Sequence, residues 1–158
     1  MIKLKYIFVF LVLTSTSCFS QTSFNNLDSL LTKTFQTVNN RDSISYLKLI
    51  DQKTVFNGKK VKTKKDSLLI LQPFLDSFSE LTDNLEDMTV DPNFTVMYSD
   101  YELINRNQKL PENGPIRLHA NMIVNNTFSV KMPMHVMVKD GLYSIDSPMM
   151  VMFLEGKE

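Results

Sequence analysis

FSVKMPMHVMVKDGLYSI, running from Phe128 to Ile145, holds the clearest pattern in the chain. Phe128, Val130, Met132, Met134, Val136 and Val138 alternate with Ser129, Lys131, Pro133 and His135. Successive side chains of a strand point to opposite faces, so a period of two marks one buried face and one polar face. Asp140-Gly141 follows at once, and this dipeptide accepts the positive φ angles of a tight hairpin. Leu142 then opens a return strand expected to run towards Phe153, with an interruption near Pro148.

Moving upstream, Asn125-Asn126-Thr127 is a short turn candidate, and Leu118, Ala120, Met122 and Val124 alternate with Arg117, His119 and Asn121. If the two runs pair through that turn, Val124 meets Phe128, His119 lies opposite Pro133 and His135 opposite Arg117. Asn105 to Pro115 is polar, with two prolines and a glycine, and reads as a loop. Before it, Phe94, Val96 and Tyr98 alternate with Thr95 and Met97 in a strand expected to reach Ile104.

Further upstream the period lengthens. Phe24, Leu27, Leu31, Phe35 and Val38 recur at three and four residues, the stripe of an amphipathic helix. Asn39-Asn40 is expected to end it, because asparagine tolerates the left-handed conformation at a helix C-terminus. Asp42 or Ser43 can cap a second, short helix carrying Ile44, Leu47 and Ile50. Val55-Phe56, Asn57-Gly58 and Val61 suggest a short hairpin or an extended loop. Asp66 is expected to cap a third helix with Leu68, Leu71, Leu75, Phe78 and Leu85 on one side, kinked at Pro73 or starting there. The expected fold class is therefore α+β: N-terminal helices packed on a curved antiparallel sheet of about four to five strands.

The N-terminus has the layout of an export signal. Lys3 and Lys5 precede the unbroken apolar run Tyr6 to Leu13, and Thr14 to Ser17 turns small and polar. Eight apolar residues make a helix of about 12 Å, well short of the roughly 20 residues that cross a bilayer. Cleavage after Ser20 is expected, leaving residues 21–158 as one domain. The alternative is lipidation of Cys18, which follows Ser15-Thr16-Ser17 but lacks the leucine usual three places before a lipid-bearing cysteine. The expected location is the periplasm or the exterior, with attachment to a membrane only if Cys18 is lipidated. As Cys18 is the sole cysteine, the domain holds no internal disulfide.

Without Lys3 and Lys5 the chain has 15 basic residues against 17 acidic ones, so nucleic acid is not an expected partner. Lys59, Lys60, Lys62, Lys64 and Lys65 form a local run best explained as a solvated loop. Asn93-Phe94-Thr95 and Asn125-Asn126-Thr127 are sequons too short to carry weight. Two scattered histidines without a neighbouring cysteine do not make a zinc site, and no metal or other cofactor is expected. No glycine-rich phosphate loop and no Gly-x-Ser-x-Gly elbow occurs.

The order of elements resembles the nuclear transport factor two-like superfamily, in which three helices precede a curved antiparallel sheet. Val38-Asn39-Asn40-Arg41-Asp42 before Ile44-Ser45-Tyr46-Leu47 is similar to its usual junction of the first two helices. Val138-Lys139-Asp140-Gly141-Leu142-Tyr143-Ser144-Ile145 is similar to its final hairpin. The resemblance spans most of residues 24–153. It implies a cone whose open end holds a pocket, with Phe94, Val96, Tyr98, Met122, Met132, Met134, Val136 and Phe153 as the wall. Nine of the ten methionines lie at or beyond Met88, and thioethers suit both an adaptable cavity and an irregular core.

Three functions stay open on these grounds. The leading expectation is a non-enzymatic exported protein that binds a small apolar ligand or a protein partner. The second, which the resemblance implies, is an isomerase or cyclase pairing a buried acid with Tyr98 or Tyr143. Asp100, between Tyr98 and Tyr101, and Asp146 are the acids in question. The third is a homodimer formed through the sheet, since members of the superfamily often pair sheets. His119 and His135 fall on the polar side of their strands, and neither is expected to gain a carboxylate.

Overall fold

The computed structural model describes residues 20–53, 63–87, 94–105 and 109–147. Three helices precede four strands: α1 (Leu27–Asn39), α2 (Ser43–Leu49), α3 (Lys64–Asp87), β1 (Val96–Leu103), β2 (Gly114–Val124), β3 (Phe128–Lys139) and β4 (Leu142–Ile145). The strands form one antiparallel sheet in the order β1-β2-β3-β4, curled into half a barrel with the helices packed against it. This is the α+β arrangement the hydrophobic pattern predicts. The expected hairpin at Val55 to Val61 and the reach of the last strand to Phe153 lie outside the described residues, as does the N-terminal export segment through Phe19.

The register of the central pair follows from its turn. Val124 pairs with Phe128, His119 with Pro133 and Arg117 with His135. Asn125 and Asn126 carry φ of 50° and 55°, a region asparagine enters more readily than bulkier residues. Asn125 also exchanges hydrogen bonds with Thr95: its backbone N–H donates to Thr95 O at 2.8 Å, and its Oδ1 accepts from Thr95 N at 2.8 Å. In the β3–β4 hairpin, Asp140 and Gly141 take φ of 51° and 73°, and Lys139 pairs with Leu142. Gly114, at φ 118°, begins β2, so the expected loop ends at Asn113, two residues before Pro115.

β1 departs from simple alternation. Tyr98 pairs with Met122, but Asp100 pairs with Asn121, so Ser99 is an extra residue in a bulge. The bulge resets the side-chain parity. Tyr98 and Tyr101 share the inner face, while Asp100 and Glu102 turn outward.

α1 begins at Leu27 rather than Phe24. Asn26 caps it by accepting from Ser29 N at 3.1 Å, and Phe24 instead forms a β-bridge with Tyr143. The helix buries Leu27, Leu30, Leu31, Phe35 and Val38 together with Thr34 and Thr37. The two threonines are satisfied by donating to Leu30 O at 2.8 Å and Thr34 O at 2.6 Å. The left-handed residue after α1 is Arg41 (φ 52°), not an asparagine. Its guanidinium accounts for this: it donates to Val38 O and Asn39 O, pairs with Glu86 at 3.0 Å and lies 4.0 Å from the Phe94 ring centroid.

Asn39 is occupied elsewhere. Its Nδ2 donates to Val96 O and its Oδ1 accepts from Val96 N, both at 2.6 Å. The amide thus satisfies the open edge of β1 as a neighbouring strand would. Asn39→Ala removes both bonds and is expected to lower stability by about 2 kcal/mol, read from urea denaturation. A cost below about 0.5 kcal/mol would mean that water replaces the amide without loss.

Asp42 caps α2 by accepting from Ser45 N at 2.9 Å. Tyr46, Leu47, Leu49 and Ile50 face inward, whereas Ile44 is exposed. The expected stripe shifts because the helix has only seven residues, and Ile50 is already extended and bridged to Ile145. In α3, Thr63 and Asp66 bond reciprocally, Thr63 N to Asp66 Oδ2 at 2.9 Å and Asp66 N to Thr63 Oγ1 at 3.1 Å. That is a capping box with Thr63 as the cap and Asp66 at the third helical position. The helix continues through Pro73. Its C-terminal half buries Phe78, Leu81 and Leu85, with Phe78 and Tyr46 in ring contact at 5.1 Å, while Leu68 and Leu69 are exposed. At 24 residues α3 is about 36 Å long; Ile70, Leu71 and Phe74 pack against the core from its first half, and the buried Phe78, Leu81 and Leu85 come from its second.

Candidate functional site

Phe94, Val96, Met122, Met132, Met134 and Val136 are all at most 3% exposed and belong to one continuous core with Leu30, Phe35 and Leu118. The three methionines therefore pack between helices and sheet. Tyr98 differs, because it is half-buried at the margin of that core. Phe153 and Cys18 lie outside the described residues.

Around Tyr98 the structure gathers a group that the linear sequence disperses. The Tyr98 hydroxyl donates to Asp28 Oδ1, and the Tyr98 ring stacks on Phe35 with centroids 6.2 Å apart and planes 4° from parallel. Asp28 is in the first turn of α1, seven residues before Phe35 and thus on the same side of the helix. Tyr101 follows on the inner face of β1, placed there by the bulge at Ser99. Tyr143 reaches the same margin from β4, where its backbone exchanges hydrogen bonds with Phe24, Tyr143 N to Phe24 O at 2.6 Å and Phe24 N to Tyr143 O at 3.0 Å. All three tyrosines are half-buried and pack against the core.

The electrostatics of the group follow from burial and from Asp28. Burial raises the Tyr98 phenol far above its ordinary value, and its hydrogen bond to Asp28 and the charge of that carboxylate raise it further. Tyr101 is raised first by burial, then by the charges of Asp28 and Tyr143. The folded state thus holds both phenol protons more tightly than the unfolded chain does. The resulting stabilisation is complete below pH about 10 and declines as pH rises above it. Absorbance titration is expected to resolve tyrosines that ionise above the ordinary range, and Tyr98→Phe should remove one. An unchanged late-titrating fraction in Tyr98→Phe would contradict the assignment.

The acids considered on sequence grounds lie elsewhere. Asp100 is on the outer face, where its Oδ1 accepts from Asn121 Nδ2, so it does not join Tyr98 at the margin. Asp146 is half-buried just past β4, its backbone N–H donating to His135 O at 2.9 Å. His135 is exposed beside Arg117, as expected. On the other ladder His119 lies opposite Glu102 of β1, whose carboxylate pairs with Lys131 at 2.9 Å. The bulge is what turns Glu102 to this outer face. Among the described residues no group of three or more His, Cys, Asp or Glu side chains could hold a metal ion, and no helix is long and apolar enough to cross a membrane.

No protein-family model matches the chain, and neither a curated protein nor a solved structure matches it. The site is thus defined by its own residues. A second polar feature is structural: the Asp51 carboxylate is 1% exposed and takes Lys139 Nζ on Oδ2 and Lys53 N, at 2.7 Å, on Oδ1. Asp28 was hidden from sequence reasoning because 70 positions separate it from Tyr98. The available signal was an acid in helical register with the apolar Leu31 and Phe35.

Proposed function

We propose that the chain is an exported, non-catalytic binding protein of the nuclear transport factor two-like kind, and that its ligand is a small, largely apolar molecule held at the tyrosine margin. The observation that carries this reading is the half-exposed set Tyr98, Tyr101 and Tyr143 over a tightly packed interior. Tyrosines offer large rigid apolar faces with a polar end, the composition of many ligand sites. Export is supported by Lys3, Lys5 and the apolar run Tyr6 to Leu13.

The isomerase reading has less support. That chemistry needs a donor aimed at a developing oxyanion. Here the Tyr98 hydroxyl already donates its hydrogen bond to Asp28, an exposed residue in the first turn of α1.

The test is native mass spectrometry of the full-length chain expressed in a bacterial host and purified without denaturation. A bound small molecule that is lost in Tyr101→Ala supports the reading. A preparation free of ligand, or retention of the ligand by both Tyr98→Ala and Tyr101→Ala, overturns it. The same spectra report the N-terminus: a chain beginning at Gln21 is expected, and a diacylated or triacylated chain beginning at Cys18 would place the protein on a membrane.

A further inference from the structure

Resting on the binding reading above, we propose that the tyrosine margin selects organic cations: a protonated amine or quaternary ammonium group on an apolar body, with Asp28 as its counter-charge and Tyr98 and Tyr101 as its walls.

The argument starts from Asp28. It follows the cap residue Asn26 by two positions, in the first turn of α1. The partial positive charge of a helix N-terminus suits an acidic side chain at this place. Among the described residues no lysine or arginine pairs with it; the ion pairs are Arg41 with Glu86, Lys131 with Glu102 and Lys139 with Asp51. One of its oxygens, Oδ1, receives the Tyr98 hydroxyl. Beside half-buried aromatic rings, this carboxylate is therefore left without a positive partner among the described residues.

The rings supply the rest. A cation near an aromatic face is attracted by the ring quadrupole, and the attraction grows as water is excluded. A phenol that donates to a carboxylate carries extra electron density into its ring, which strengthens that attraction at Tyr98. Phe35 stacks on Tyr98 and fixes its plane, and Tyr98 and Tyr101 are both partly exposed on the same face of β1. The bulge at Ser99 is what brings Tyr98 and Tyr101 to one face; regular alternation would have sent Tyr101 outward. Tyr143 extends the aromatic surface from the other end of the sheet. An anion would be repelled by Asp28, and a neutral ligand would cover the carboxylate without balancing it. A cation gains from both groups.

The chain has no tryptophan, so tyrosine fluorescence reports on these rings directly. The full chain is titrated with benzyltrimethylammonium, with its neutral isostere neopentylbenzene and with benzenesulfonate. The expected result is quenching by the ammonium at concentrations at least about tenfold below those needed for the neutral compound, with none by the sulfonate. Asp28→Asn keeps the size and the helical position and is expected to weaken the ammonium about tenfold while leaving the neutral compound unchanged. Raising the salt concentration should weaken the ammonium alone. Equal binding of ammonium and neutral compound, insensitive to Asp28→Asn, overturns the selectivity and leaves the binding reading standing. Binding of none of the three overturns both.

Discussion

Phe35→Ala lowers the stability of the protein by about 4 kcal/mol, the upper range for truncating a buried aromatic, because the residue is 1% exposed and its neighbours lie on two layers. Its ring is part of the core with Leu31 and Val38 on its own helix, and it stacks on Tyr98 across the interface with β1. The variant therefore creates a cavity and releases the ring that orients the tyrosine margin. Urea denaturation gives the first effect. Phe35→Leu, which retains most of the volume, should cost about 1.5 kcal/mol. A Phe35→Ala cost below about 2 kcal/mol would mean that the core collapses around the vacancy and that α1 is not fixed against the sheet.

The second large effect is expected at Lys139. Its ammonium compensates Asp51, whose side chain is 1% exposed while that of Lys139 is 39% exposed. Lys139→Ala leaves a carboxylate in the interior whose remaining partner among the described residues is the Lys53 amide, at 2.7 Å. Breaking such a pair from one side costs about 3 kcal/mol. Asp51→Asn should cost less, since the freed ammonium reaches water and an amide oxygen still accepts from Lys53 N. The double variant should then recover part of the Lys139→Ala loss, because the stranded charge is gone. Additive losses across the three variants, measured by urea denaturation at neutral pH, would show that the two groups do not act as a pair.

The contrast between β3 and β1 explains how much was legible in advance. From Phe128 to Val138 every second residue is apolar, and a turn rich in asparagine fixes the loop length, so the pairing of His135 with Arg117 followed from parity alone. In Tyr98-Ser99-Asp100-Tyr101 nothing local marks Ser99 as the extra residue; the shift exists only relative to Met122 and Asn121. With that parity hidden, Asp100 looked like the companion of Tyr98, and Glu102 was not connected with His119. Caps that depend on short range were readable, as at Asp42, whereas Arg41 takes the left-handed position because of Glu86 and Phe94, both more than forty residues away. The core was mostly visible through its periodicity. The tyrosine margin was visible only as separate tyrosines, because Asp28 meets Tyr98 through the packing of α1 on β1.

The outer edge of β4 is held by two segments from the opposite end of the chain. Phe24 exchanges backbone hydrogen bonds with Tyr143, and Asp51 N donates to Ile145 O at 2.6 Å. Thr22 N donates to Lys48 O at 2.7 Å within the N-terminal part, but the bonds of Phe24 and Asp51 to the sheet cannot form until residues 143 to 145 have been made. Contacts of such long sequence separation form slowly, since most of the intervening chain must be organised first. A nascent chain ending before Tyr143 lacks β4 and with it the backbone bonds of Phe24 and Asp51 to the sheet. The last hairpin is thus the piece that joins the two ends of the chain, and the β4 edge closes only when it is in place.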